Sequence, residues 1–197
     1  MKYDLNFSKN GISNFFNRID RINKRLINEL KPTKTDIILD IGCDKGILVS
    51  CLKNYCPDII GIDINKEAIE NSNMKELITM DARKIEFSDN YFTKIVSSMT
   101  IEHIPNLKYV FKEIDRVLKP GGLVILHYPW ELFKGMCALR NALIFYKNPF
   151  KCCKIHVNKL NHKKIERLIR NTKMKIIKKT FIFDPQPGYI TILKKCD

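Results

Sequence analysis

The feature that most constrains this chain is an apolar run that carries an acid and opens on glycine: Ile37-Ile38-Leu39-Asp40-Ile41-Gly42-Cys43-Asp44-Lys45-Gly46. A short, continuous aliphatic run reads as a strand buried on both faces, which marks a parallel sheet. Glycines directly after it let the backbone turn sharply and approach a ligand closely. The helix that follows presents free N–H groups at its start. The loop alone leaves the ligand open, because dinucleotide-binding folds use the same device.

The rest of the chain extends this unit. Ile12, Phe15, Phe16, Ile19, Ile22, Leu26, Ile27 and Leu30 recur near helical spacing, which predicts one or two helices over 12–31, with Ser13 as a cap and Pro32 past the end. Strands are expected at 37–41, 58–62, 77–80, 92–97 and 123–127, and helices at 46–54, 65–73 and 106–118. Lys119-Pro120-Gly121-Gly122 reads as the stop after the last of these helices. Strands alternating with helices give a parallel sheet with crossovers on both faces. After Pro129 the pattern changes. A helix is expected near 159–172, then strands near 174–183 and 188–194, joined by a turn at Pro185-Gln186-Pro187-Gly188. The fold class is therefore α/β, a doubly wound sheet of about seven strands, mostly parallel with an antiparallel C-terminal hairpin.

At 197 residues the chain suits one domain. Its parts are N-terminal helices (1–32), a core (33–128), a lid or substrate segment (129–158) and a C-terminal helix and hairpin (159–197). No apolar run approaches the roughly 20 residues needed to span a bilayer. The polar start MKYDLNFSKN does not read as a secretory signal, so the default compartment is the cytoplasm. The seven cysteines (43, 51, 56, 137, 152, 153 and 196) include no CxxC pair, so no metal is expected and all are read as reduced thiols. The net charge of +14 is uneven. Residues 1–98 carry 15 basic against 14 acidic side chains, and residues 99–197 carry 20 against 7. Such asymmetry suggests an anionic partner, unless lysines simply solvate helix faces.

Two more acids follow at strand ends. Asp63 closes the second strand, 17 residues after Gly46. An acid there can accept both hydroxyls of a ribose; alternatively Asp63 or Asn65 caps the next helix. Asp81, in Met80-Asp81-Ala82, closes the third strand and can accept from an adenine amino group. All three acids would face the sheet edge where open α/β folds hold ligands. In this order, ILDIGCDKG, GIDIN, MDA, FTKIVSSMTIEHIPN and RVLKPGG resemble the class I S-adenosylmethionine-dependent methyltransferases, most closely the small-molecule branch called type 11, over residues 33–128. The resemblance implies a Rossmann-like fold with an antiparallel seventh strand, and S-adenosylmethionine as cofactor. It assigns Gly42, Cys43, Asp44 and Gly46 to the methionine part and Asp40 to its amino group. Asp63 takes the ribose and Asp81 the adenine, with Ile64, Ala82 and Ser97 as further cofactor-binding positions. The family usually has glycine where this chain has Asp44. A left-handed backbone would explain that glycine, and Asp tolerates such a conformation better than most residues.

A sulfonium is already an activated methyl donor, so the protein must align an acceptor and exclude water. An acceptor of high pKa also needs a base. Candidates are His103, His127 and Tyr128, with loop organisation as the alternative role for His103. His156 and His162, in the basic tail, are within reach of a substrate. Residues 130–158 mix Trp130, Leu132, Phe133, Met136, Leu139, Leu143 and Phe150 with Lys134, Arg140, Lys147, Lys151 and Lys154. Such a segment suits an interfacial helix, a lid over a greasy substrate or an ordinary packed helix. The expected acceptor is small or lipid-linked, with phosphate an option and peripheral membrane contact open. One alternative is an RNA methyltransferase using the basic C-terminal third. Against it, Ser97-Ser98-Met99 lacks the Asn/Asp-Pro-Pro-aromatic motif of exocyclic-amine methylation. The other alternative is a cofactor-binding module without catalysis.

Overall fold

A single helix, α1 (Lys9–Leu30), fills the N-terminal stretch for which one or two helices are expected. The computed structural model describes residues 9–131, 143, 147, 148, 150, 155–183 and 187–197. Most of the expected lid segment, and the expected turn at 184–186, lie outside the described residues. After α1 come β1 (Ile37–Ile41), α2 (Ile47–Leu52), β2 (Asp58–Asp63), α3 (Lys66–Glu70), β3 (Leu77–Thr79), β4 (Phe92–Ser98), α4 (Leu107–Val117) and β5 (Leu118–Pro129). Helix α5 (His162–Ile169) and strands β6 (Met174–Phe183) and β7 (Pro187–Lys195) complete the chain.

The seven strands form one sheet in the order β3-β2-β1-β4-β5-β7-β6. Strands β1 to β5 pair parallel, and β7 pairs antiparallel with both β5 and β6. Side chains alternate across each strand, so both faces must be covered. On one face Leu39, Ile41, Phe92, Leu126 and Tyr128 pack with Phe111 and Ile114 of α4 and Ile165 of α5. On the other Ile38, Val96, Ile125 and Ile192 pack with Leu26 and Leu30 of α1 and Leu48 and Leu52 of α2. Helix α4 buries Leu107, Val110, Phe111, Ile114 and Val117, the stripe that helical periodicity dictates.

One boundary differs from expectation. Lys119-Pro120-Gly121-Gly122 does not precede β5; it is looped out of a strand that has already begun. Phe92 pairs with Leu118, and the register then jumps so that Lys94 pairs with Leu123. Gly121 takes φ 74 within this bulge, where a β-carbon is disfavoured.

The order of strands reverses between β1 and β4, which opens a crevice at their C-terminal ends. The loop from Asp81 to Asp89 that walls this crevice is anchored by Arg116 of α4. Its guanidinium donates to the carbonyls of Ile85 (2.6 Å) and Phe87 (2.8 Å) and to the carboxylates of Asp89 and Glu113. Charge-assisted hydrogen bonds contribute most when several converge on one fork. Arg116→Ala should lower stability by about 1–3 kcal/mol, read as a lower urea midpoint with an unchanged slope.

Candidate functional site

The site grows from the backbone of one loop. Leaving β1, the amides of Gly42 (2.8 Å) and Cys43 (3.1 Å) both donate to the carbonyl of Ile62 on β2. Gly42, Asp44 and Gly46 have φ of 80, 46 and 80. Asp44 thus adopts the left-handed conformation expected of it from the sequence. Glycine is required at 42 for a second reason: a β-carbon would lie 2.1 Å from Cγ2 of Thr100. Gly61 of β2 makes room in the same way for Cys43, whose side chain would meet a β-carbon there at 2.8 Å.

The strand-end acids converge on this loop. One oxygen of Asp63 accepts from the amide of Asp44 (2.9 Å) and the other from that of Asn65 (2.8 Å). The cap of α3 is Asn65, whose side chain accepts from Ala68. Asp40 is buried, and that burial, with the nearby Asp63 charge, pushes its carboxyl up to about 7. Desolvation, with Asp40 and Asp63 beside it, drives the Cys43 thiol upward, so it is not a nucleophile. Asp81 is clasped by Arg83 through contacts of 3.0, 3.0 and 2.6 Å, which hold its carboxyl below the usual range.

Two cavities meet at the loop. The larger, about 390 Å³, is lined by Gly42, Asp44, Asp63, Ile64, Asp81, Ala82 and Arg83 on one side and by Ser98, Met99, Thr100 and His103 on the other. The smaller, about 140 Å³, holds Asn23, Asp40, Cys43, Lys45 and Ile47, and shares Gly42, Asp44 and Ser98 with the larger. Asn23 Nδ2 is buried there without a hydrogen-bond partner. An exposed apolar side chain, Ile64, sits at the rim of the larger cleft.

The candidate bases separate. His103 lies on the cleft wall, half-exposed, with Nδ1 donating to the carbonyl of Ile155 (2.8 Å). Burial lowers its pKa. His127 is buried behind Ser98, its Nδ1 2.9 Å from that hydroxyl, and does not line the cleft. Tyr128 points to the opposite face of β5 from His127. Its hydroxyl meets Thr191 (2.9 Å), and burial raises its pKa to about 12. His162 packs on the ring of Tyr189 at 4.3 Å, inside the same layer. His156 is buried against Glu131 (2.8 Å) rather than offered to a substrate.

Known proteins share the core of this chain. Residues 39–126 match the family model described as a methyltransferase domain. The match makes the core of this chain similar to methyltransferase domains over a little under half of its length. Over 99 residues it is 32% identical to the sterol 4-C-methyltransferase strm-1 of Caenorhabditis elegans, covering 45% of this chain and 30% of that protein. Over 112 residues it is 28% identical to the demethylmenaquinone methyltransferase of Staphylococcus saprophyticus, covering 52% of this chain and 48% of that protein. The chain thus spans less than half the length of these curated relatives. The fold aligns with the YcgJ protein of Bacillus subtilis at a TM-score of 0.69 and 16% identity, over 89% of this chain and 98% of that one.

Several features of the site were not legible in the sequence. Ser97, expected at the cofactor, instead faces inward with Ile95, and its hydroxyl donates to the carbonyl of Ile41 (3.0 Å). Strand alternation gives the cleft Ser98 in its place. Asn23 and Arg83 carry no motif. Glu102 is fully buried with neither carboxylate oxygen hydrogen-bonded, and burial pushes it up to about 7. The Glu-His pair at 102–103 was its only signal. Two glycines test the loop argument. Gly121→Ala, with φ 74 and open space, should cost about 1–2 kcal/mol. Gly42→Ala adds the collision with Thr100 and should cost about 1–3 kcal/mol more, both read by denaturant unfolding.

Proposed function

We propose that this protein binds S-adenosylmethionine in the paired cavities and transfers its methyl group to a small or lipid-linked acceptor. The observation that carries the reading is the set of three carboxylates, Asp40, Asp63 and Asp81, ranged along one sheet edge around the left-handed loop. The residues fit the cofactor. In the smaller cavity the unpaired amide of Asn23 suits a carboxylate, and the Asp40 carboxyl suits an ammonium group. Asp63 uses each oxygen once on the backbone, which leaves lone pairs for ribose hydroxyls. Ile64 and Ala82 offer apolar surface beside Asp81 for a purine, with Arg83 yielding part of its grip on that acid.

The cofactor supplies an activated methyl group, and the chain's own residues do the remaining work. Ser98, Met99 and Thr100 wall the cleft opposite the acids and so flank the place where an acceptor meets the methyl. Met99 is held in a left-handed conformation (φ 52), its backbone N–H donating a hydrogen bond to the carbonyl of His127 (2.8 Å), a strained backbone of the kind that fixes active-site walls. His103 is the one imidazole lining the cleft among the described residues, which puts it on the acceptor side. The acceptor class is supported by the printed substrates of the relatives, a sterol and a demethylated menaquinone, and by the apolar rim of Ile64, Ile104 and Pro105.

Calorimetric titration with S-adenosylhomocysteine should give micromolar binding that Asp63→Ala abolishes. Asp40 adds a pH signature. Free, it holds a proton until about 7; paired with an ammonium group it must release that proton. Affinity should therefore rise with pH and level off above 7, weakening by up to about tenfold per unit below it. Asp40→Asn should flatten the profile. For the acceptor, labelled cofactor is offered with quinone and sterol lipids and, separately, with RNA. Label is expected in the organic extract; label confined to RNA would overturn the lipid-linked reading.

A further inference from the structure

Beside the cleft, four ionisable side chains come together that the cofactor reading does not use. Glu102 and His103 follow β4, Glu131 follows β5, and His156 lies on the segment leading to α5. Glu102, His103 and His156 each bring a ligand atom within 4.8 Å of the others. The two rings sit edge to face at 4.8 Å, and His103 Nε2 is 3.9 Å from Glu102 Oε1.

The hydrogen bonds around the cluster set its chemistry. The Ile155 carbonyl can only accept, so His103 carries its proton on Nδ1 and its lone pair on Nε2. His156 Nδ1 is held by the Glu131 carboxylate, which likewise leaves the lone pair on Nε2. Imidazoles that ligate metals are oriented in this way, by a carbonyl or a carboxylate on the far nitrogen. Glu102 is the decisive member. Both its oxygens are wholly buried and neither has a hydrogen-bond partner, and a buried carboxylate without a partner is costly. The segment carrying His156 is pinned to the Glu102 loop. Asn158 N donates to the Glu102 carbonyl (2.9 Å), and Asn158 Nδ2 donates to the carbonyls of Ile101 and Ile104.

We propose that Glu102, His103 and His156 form a binding site for one divalent transition-metal ion, with Glu131 orienting His156 from outside. Two imidazole nitrogens and a carboxylate oxygen are a donor set for zinc, cobalt or manganese rather than for calcium. The ligand atoms would close by a little over an ångström onto an ion at about 2.0–2.2 Å. Two buried carboxylates balance a double positive charge. Because His103 also lines the cleft, the ion would stand beside the wall where an acceptor arrives and would polarise a polar group that the acceptor presents there. That use of the ion rests on the methyltransferase reading; the site itself does not.

The test uses the whole chain, stripped with chelator and titrated with Co²⁺ and Zn²⁺ without cofactor. One equivalent of Co²⁺ is expected, with visible ligand-field bands, and Zn²⁺ should raise the melting temperature. Glu102→Gln keeps the shape of the side chain and removes its charge. It should fold as well as the wild type, keep S-adenosylhomocysteine binding and lose the Co²⁺ bands. His156→Ala should weaken Zn²⁺ binding by a hundredfold or more. Absence of stoichiometric binding, or bands that survive in both variants, would overturn the site. S-adenosylhomocysteine titrated into the same sample separates the two readings. Cofactor binding without metal removes this inference alone, and metal binding without cofactor removes the methyltransferase reading alone.

Discussion

One carboxylate ties the working edge of the sheet together. Asp63 ends β2, yet it holds the amide of Asp44 in the loop after β1 with one oxygen and the amide of Asn65 at the start of α3 with the other. The two loops that build the crevice are therefore a single hydrogen-bonded unit. The left-handed sequence at Gly42, Asp44 and Gly46 costs conformational energy. The bonds to Asp63 and to the Ile62 carbonyl are what hold it in place. Thr100 reaches from the end of β4 into the space that a side chain at position 42 would occupy, so the third wall is fixed by the same turn.

The two acids raised to about 7 are Asp40, which lines the smaller cavity, and Glu102, the chain neighbour of the cleft-lining His103. Each is buried, and in each desolvation is the largest cause of the shift. A fold that only needed to be stable would place leucine or glutamine there, since an acid kept protonated offers little that a neutral side chain lacks. Their position beside cavities makes sense if a cation is brought to each: an ammonium group to Asp40 and a metal ion to Glu102. This edge of the sheet is thus the place where local rules of burial are broken, as expected where function opposes stability.

Legibility followed sequence distance. β1, β2 and β4 were readable because each is a short aliphatic run that must be buried on both faces, and α4 because its stripe is unambiguous. The left-handed Asp44 was readable because few residues tolerate that backbone. Ser98 rather than Ser97 lines the cavities, and a strand end does not announce which of two adjacent serines faces out. The bulge at 119–122 looked like a helix stop because Pro-Gly-Gly serves either purpose. The Glu102–His103–Glu131–His156 cluster had no periodicity to reveal it. Its members come from three segments that meet only after β5 and the strap at Asn158 are in place.

The basic C-terminal third finds much of its explanation in architecture rather than in a ligand. Strand β6 is an edge of the sheet, and an edge needs charge to stop it pairing with another chain. Lys175, Lys178 and Lys179 lie on it. Lys178 reaches back to Glu29 of α1 (2.7 Å), and Lys179 to Glu166 of α5 (2.7 Å), so both fasten the strand to the helices covering it. Lys195 is buried, and its ammonium group caps the carbonyls of Asp115 and Leu118 where α4 passes into β5. Charges committed to neighbours in this way are poorly placed to track a phosphate backbone.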